Sequence, residues 1–163
     1  MSDTSAAPCV LFVNVVDAAR RLADRLRAIG LKVSEAITVE EVFSLLERLT
    51  PSAIIVDVPL AAAACEDASF IGALRQRLRS DEIPIIVISP FRRSEDRERM
   101  RRAGADVFLQ KPVLSEHLLR EVRLAVMARL EGRRLAWNWS KRSDRNAHRP
   151  AGERRLHKRS GDG

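Results

Sequence analysis

The 163-residue sequence predicts an α/β fold, a parallel sheet with helices on both faces. Three observations predict it. Short apolar runs alternate five times with amphipathic stretches of helix length, all before residue 131. Two of the runs, 51–58 (PSAIIVDV) and 83–89 (IPIIVIS), are continuously apolar, as strands buried on both faces require. Hydrophobic residues make up 45% of the chain and aromatics 4%, which is enough for a core and makes that core aliphatic.

Each element has its own signal. Residues 9–16 (CVLFVNVV) read as the first strand, and Asp17 is placed to cap the helix after it. In that helix Leu22, Leu26 and Ile29 recur at three- and four-residue spacing, and Gly30 stops it. Residues 31–36 form a short second strand. Thr38 with Glu41 three residues on makes a capping box. Val42, Leu45, Leu46 and Leu49 then mark the inner face of the second helix, which Pro51 ends. The third strand closes on Asp57. Residues 59–69 send mixed signals, because Ala61–Ala64 favour helix while Pro59 and Glu66-Asp67 favour loop. Phe70, Ile71, Leu74 and Leu78 mark a third helix, and residues 83–89 the fourth strand. Residues 92–103 form a polar, basic fourth helix ended by Gly104. Residues 105–110 form the fifth strand, which Lys111-Pro112 breaks. Ser115 opens a fifth helix carrying Leu118, Leu119, Val122, Val126 and Leu130. This helix is expected to run a turn or two past Gly132. The resulting division is a disordered N-terminus (1–8), one domain (9–131) and a basic, largely disordered tail (132–163).

Composition excludes several classes. No apolar run reaches the roughly 18 residues of a membrane span. The first eight residues lack a basic region leading into an apolar segment, so no secretory signal is expected and a cytoplasmic location is. Cys9 and Cys65 are far apart, with no spacing typical of zinc or a disulfide framework. The net charge of +7 sits mainly in the tail. Residues 131–163 hold ten Lys/Arg and four Asp/Glu, whereas the rest of the chain holds 19 and 18.

In a parallel α/β sheet, ligands bind beyond the carboxyl ends of the strands. Four polar residues stand at such ends: Asn14, Asp57, Ser89 and Lys111. A carboxylate there can act as nucleophile towards a phosphoryl donor, and a hydroxyl and an ammonium can bind phosphoryl oxygens. Taken singly, Asp57 also reads as a strand-ending turn residue, Ser89 as a turn residue before Pro90, and Lys111 as a solvated loop charge.

Residues 9–130 resemble the receiver domain of two-component response regulators. The resemblance rests on PSAIIVD ending at Asp57, IPIIVIS ending at Ser89, and GADVFLQKP containing Lys111-Pro112. It implies a flavodoxin-like, doubly wound sheet of five strands in the order 2-1-3-4-5. It further implies that Asp57 is the phosphoacceptor of a phosphoprotein, that Ser89 and Lys111 contact its phosphoryl group, and that Phe108 is the aromatic switch. The implied partners are a sensor histidine kinase or phosphotransfer protein, and a downstream protein docked on the fourth helix, fifth strand and fifth helix, with Arg97 and Arg101 on that face.

The chain departs from the family at the metal site. Receivers carry a pair of acids after the first strand that hold Mg²⁺ with the phosphoacceptor. Here that pair falls on Val13-Asn14, or on Asn14-Val15 with one gap. The expected metal set is therefore Asp57, Asn14 and the Pro59 carbonyl, a weakened Mg²⁺ site, since Mg²⁺ prefers carboxylate and water oxygens. With fewer acids beside it, Asp57 is expected to ionise easily. The basic fourth helix reads either as a solvated face of i,i+4 pairs or as a docking surface. The expected role is a stand-alone signalling receiver and not an enzyme. The alternative is a phosphorylation-independent pseudo-receiver whose basic tail, with Trp137 and Trp139, binds nucleic acid or an acidic partner. A phosphatase-like enzyme is disfavoured because no second acid is read near Asp57.

Overall fold

The computed structural model of the chain describes residues 7–13, 17–58, 64–78, 83–135 and 138–140, with only the backbone course for 17–19, 64–67 and 138–140. The elements are β1 (Cys9–Val13), α1 (Asp17–Ala28), β2 (Lys32–Ala36), α2 (Val39–Arg48), β3 (Ala53–Asp57), α3 (Ala64–Arg77), β4 (Ile85–Ser89), α4 (Ser94–Ala103), β5 (Val107–Gln110), α5 (Ser115–Leu130) and β6 (Asn138–Ser140). All pairings are parallel, in the order β2-β1-β3-β4-β5-β6.

The first five strands have the order the resemblance implies, 2-1-3-4-5, with helices on both faces. Alternation along the strands splits the core in two. Val10, Phe12, Ile55, Ile86, Ile88, Val107 and Leu109 face Leu26 of α1 and Leu118, Val122 and Val126 of α5. Leu11, Val13, Ile54, Val56, Val87 and Phe108 face Val42 of α2, Ile71 and Leu74 of α3 and Met100 of α4. Both faces of β3 and β4 are therefore buried, which is why their sequences do not alternate.

The local signals act as expected at most boundaries. Glu41 N donates to Thr38 Oγ1 at 3.2 Å, and the Glu41 carboxylate accepts from Thr38 N at 3.3 Å, closing the capping box of α2. Gly30 and Gly104 end α1 and α4 with φ of +91° and +114°, a region a side chain would strain.

Three stretches of the sequence reading meet the structure differently, and one of them, the end of the fifth helix, is corrected. The third helix begins at Ala64, so the alanine-rich propensity prevailed over the Glu66-Asp67 loop signal. The fifth helix does not run past Gly132. It ends at Leu130, and Gly132 turns the chain with φ +66°. The tail, expected to be largely disordered, contributes a short sixth strand that the sequence reading did not place, Asn138–Ser140, paired with Val107–Leu109. The N-terminal residues 1–6 and the tail from 141 onward lie outside the described residues.

Candidate functional site

Strand ends at one edge of the sheet assemble the site. Asp57 is the last residue of β3, Ser89 the last of β4, and Lys111 follows β5 directly. Backbone bonds hold these ends together. Val58 N donates to Ile88 O at 2.8 Å, and Lys111 N donates to Ser89 O at 2.8 Å. The loop leaves β5 through a cis Lys111–Pro112 peptide.

The Lys111 ammonium bridges two strand ends. It lies 2.5 Å from Asp57 Oδ1 and donates a 2.6 Å hydrogen bond to Val58 O. The ammonium offsets the charge of this buried carboxylate oxygen. Asp57 is 5% exposed. Burial raises its pKa, and the Lys111 ammonium offsets only part of that rise. The expectation that Asp57 ionises easily is thus corrected. It weighed the missing neighbouring acid and omitted desolvation, which is the larger effect here.

Ser89 is fully buried, and its Oγ accepts from Phe91 N at 3.2 Å. That bond uses a lone pair and leaves the hydroxyl proton free to donate. Phe108 is also fully buried, on the sheet face covered by α2, α3 and α4. The structure therefore brings Asp57, Ser89 and Lys111 to one edge. Asn14 and Pro59 lie outside the described residues.

On α4, Arg101 pairs with Glu98 at 2.6 Å, and Arg102 joins the same carboxylate at 2.9 Å. The two arginines hold the Glu98 pKa down at about 2. Arg97 turns back to donate to Arg92 O at 2.7 Å. These contacts are local, so the helix face is laced by its own charges.

Sequence reasoning missed the Val58 carbonyl as the second partner of Lys111 and the Phe91 amide as the donor to Ser89. The first carries no side-chain signal. The second was readable in Ser89-Pro90, since a serine hydroxyl commonly accepts from the amide two residues on.

Mg²⁺ chemistry can be tested against this donor set. Among the described residues no three His, Cys, Asp or Glu side chains gather as a metal site. Of the described strand-end residues, one is a carboxylate, Asp57, and one of its oxygens already faces an ammonium. The residue after β1 is the neutral Asn14. A hard dication wants anionic oxygens, so this set fits Mg²⁺ poorly.

A doubly wound sheet in this strand order, with an acid ending its central strand, defines the flavodoxin-like class. Within that class the chain belongs to the response regulator receiver domain family, whose model matches residues 14–123. An uncharacterized 14.6 kDa protein of Leptolyngbya boryana is 32% identical over 99 residues, which is 61% of this chain and 74% of that protein. Solved structures share the fold. A CheY-like receiver domain protein of Methanospirillum hungatei superposes with a TM-score of 0.67 at 20% identity, covering 77% of this chain and 98% of that one. The chemotaxis response regulator CheY4 of Vibrio cholerae gives 0.63 at 22% identity, covering 73% and 98%. Membership implies two-component signalling, with histidine kinases or phosphotransfer proteins as partners, and receivers as a family bind Mg²⁺ at an acidic pocket. Among the described residues no helix is long and apolar enough to cross a membrane.

Proposed function

We propose that this chain is a stand-alone, non-enzymatic receiver of the cytoplasm that accepts a phosphoryl group on Asp57 from a phosphohistidine donor. The observation that carries the reading is the Asp57–Lys111 pair beside the buried Ser89 hydroxyl. A carboxylate oxygen of Asp57 attacks phosphorus as the P–N bond breaks, and the imidazole nitrogen keeps the electron pair. Lys111 then offsets charge on the acyl phosphate, and the Ser89 proton donates to a phosphoryl oxygen. The deciding experiment is incubation with phosphoramidate and Mg²⁺, read by intact mass. Wild type should gain one phosphoryl group slowly, and Asp57→Asn should gain none. Equal labelling of both would remove Asp57 from the reading.

Weak metal binding follows from the neutral residue after β1. Asn14→Asp should tighten Mg²⁺ binding about tenfold or more, the effect of about 1.4 kcal/mol from an added carboxylate. Val13→Asp or Val15→Asp should do the same if the pair is registered differently. Unchanged Mg²⁺ titrations for all three would overturn the account of the pocket.

Output runs through α4, β5 and α5 to a downstream protein. Phe108 is buried and has no hydroxyl to satisfy, so its inward position does not wait for a phosphoryl group. Partner affinity therefore depends weakly on phosphorylation. Asp57→Asn should leave it within a few-fold, whereas Arg97→Glu or Arg101→Glu should reduce it clearly. Loss of a pulled-down partner on Asp57→Asn would restore an ordinary phospho-switch.

A further inference from the structure

The outer side of β5 is occupied by the chain itself. Asn138–Ser140 pairs in parallel with Val107–Leu109, with seven residues between it and the end of α5. β5 is built like an interior strand. Its sequence VFLQ has no charge, and Val107, Phe108 and Leu109 are each fully buried. Sheet edges are ordinarily guarded by charge or by shortness, because an open ladder templates other strands. The opposite edge, β2, follows that rule with Lys32 and Glu35. β6 follows it too, with three residues, two of them polar, and Lys141-Arg142 next in sequence.

We propose that the outer edge of β5 is a strand-acceptor site, which the chain fills with its own Asn138–Ser140, and that the partner it fits is the same segment of a second copy. The site recognises an extended strand lying parallel to β5 with a polar, aromatic, polar sequence opposite Val107, Phe108 and Leu109. The short link from α5 holds the chain's own strand at an effective concentration on the order of millimolar. At micromolar protein the site is closed in cis and the chain is a monomer. It opens to a strand in trans only when the cis segment leaves.

Amide exchange tests this directly. Lys111 N donates to Ser89 O at 2.8 Å, on the β4 side. By period-two alternation the Val107 and Leu109 amides point the same way, and the Phe108 amide points to β6. In the unaltered chain the Phe108 amide should be protected like those of Val107 and Leu109. Ser140→Pro, in the full chain, removes a ladder donor to β5 and blocks the strand. It should speed exchange at Phe108 by about tenfold or more while leaving Val107 and Leu109 unchanged. A peptide of residues 136–141 (AWNWSK) should restore protection in the variant and leave the wild type unaffected. A scrambled peptide should do neither. An unprotected Phe108 amide in the wild type would overturn the proposal without any variant, as would failure of the peptide to protect Ser140→Pro.

Discussion

Asp57 carries a pH signature that follows from its burial. Its folded pKa lies above the ordinary value of 3.8, so the native state holds the proton more tightly than the unfolded chain does. The resulting stability is complete below the ordinary value and is lost as pH rises through the folded one. Asp57→Asn should therefore raise Tm at neutral pH, and the gain should vanish below about pH 4, near the ordinary carboxylate pKa. Thermal melts across pH 3–8 check this, and a gain that persists in acid would contradict it. The same proton opposes the proposed phosphorylation, since only the carboxylate would attack phosphorus. Labelling by phosphoramidate should fall as pH drops, with a midpoint above the ordinary carboxylate value. The positions of Asp57, Ser89 and Lys111 were legible because each ends an apolar run. The proton affinity of Asp57 was not, because desolvation depends on neighbours such as Ile88 and Lys111 that other parts of the chain bring in.

Among the elements, α3 is fastened at the edge of the sheet away from Asp57. Arg75 donates to Gly104 O at 2.7 Å and to Ile83 O at 2.9 Å, and it pairs with Asp106 at 2.7 Å. Asp106 in turn accepts from Ile85 N at 2.9 Å. One guanidinium thus links α3, the turn after α4 and the entries to β4 and β5. Removing one partner of a buried ion pair leaves the other uncompensated, so Arg75→Ala should cost about 3–5 kcal/mol in urea unfolding. Gly104 closes the other side of this clasp. A Cβ there would meet Arg75 Cγ at 3.0 Å, at a φ of +114°. Gly104→Ala should cost about 1–3 kcal/mol, and a neutral result would show that the turn relaxes. Thr38→Ala should cost about 1 kcal/mol through the lost cap. That cap was visible as Thr-x-x-Glu, and Gly104 was visible as a helix stop. The clasp was not, because its members lie 31 residues apart and Arg75 reads as one of many helix arginines.

At the scale of the whole molecule, alternation of strand and helix was sufficient to place five strands and five helices. It could not place the sixth strand, because three residues rich in polar groups carry no periodic signal and follow a charged, glycine-containing turn. Their pairing is decided by what β5 lacks, a guarded edge, and not by anything in the segment alone. The direction of that strand has a geometric outcome. The fifth helix runs back to the edge opposite Asp57, and a chain ending there would leave the domain on the far side. β6 runs parallel to β5 and returns the backbone to the edge that holds Asp57. Ser140 therefore hands the chain on about three strand spacings from Asp57, roughly 14 Å. Anything joined after this point starts out beside the surface that a kinase must approach, while the chain enters β1 from the other side. A bulky domain fused directly after Ser140, in place of residues 141–163, should slow phosphotransfer from a protein donor far more than from phosphoramidate, and the same domain fused before Cys9 should slow neither.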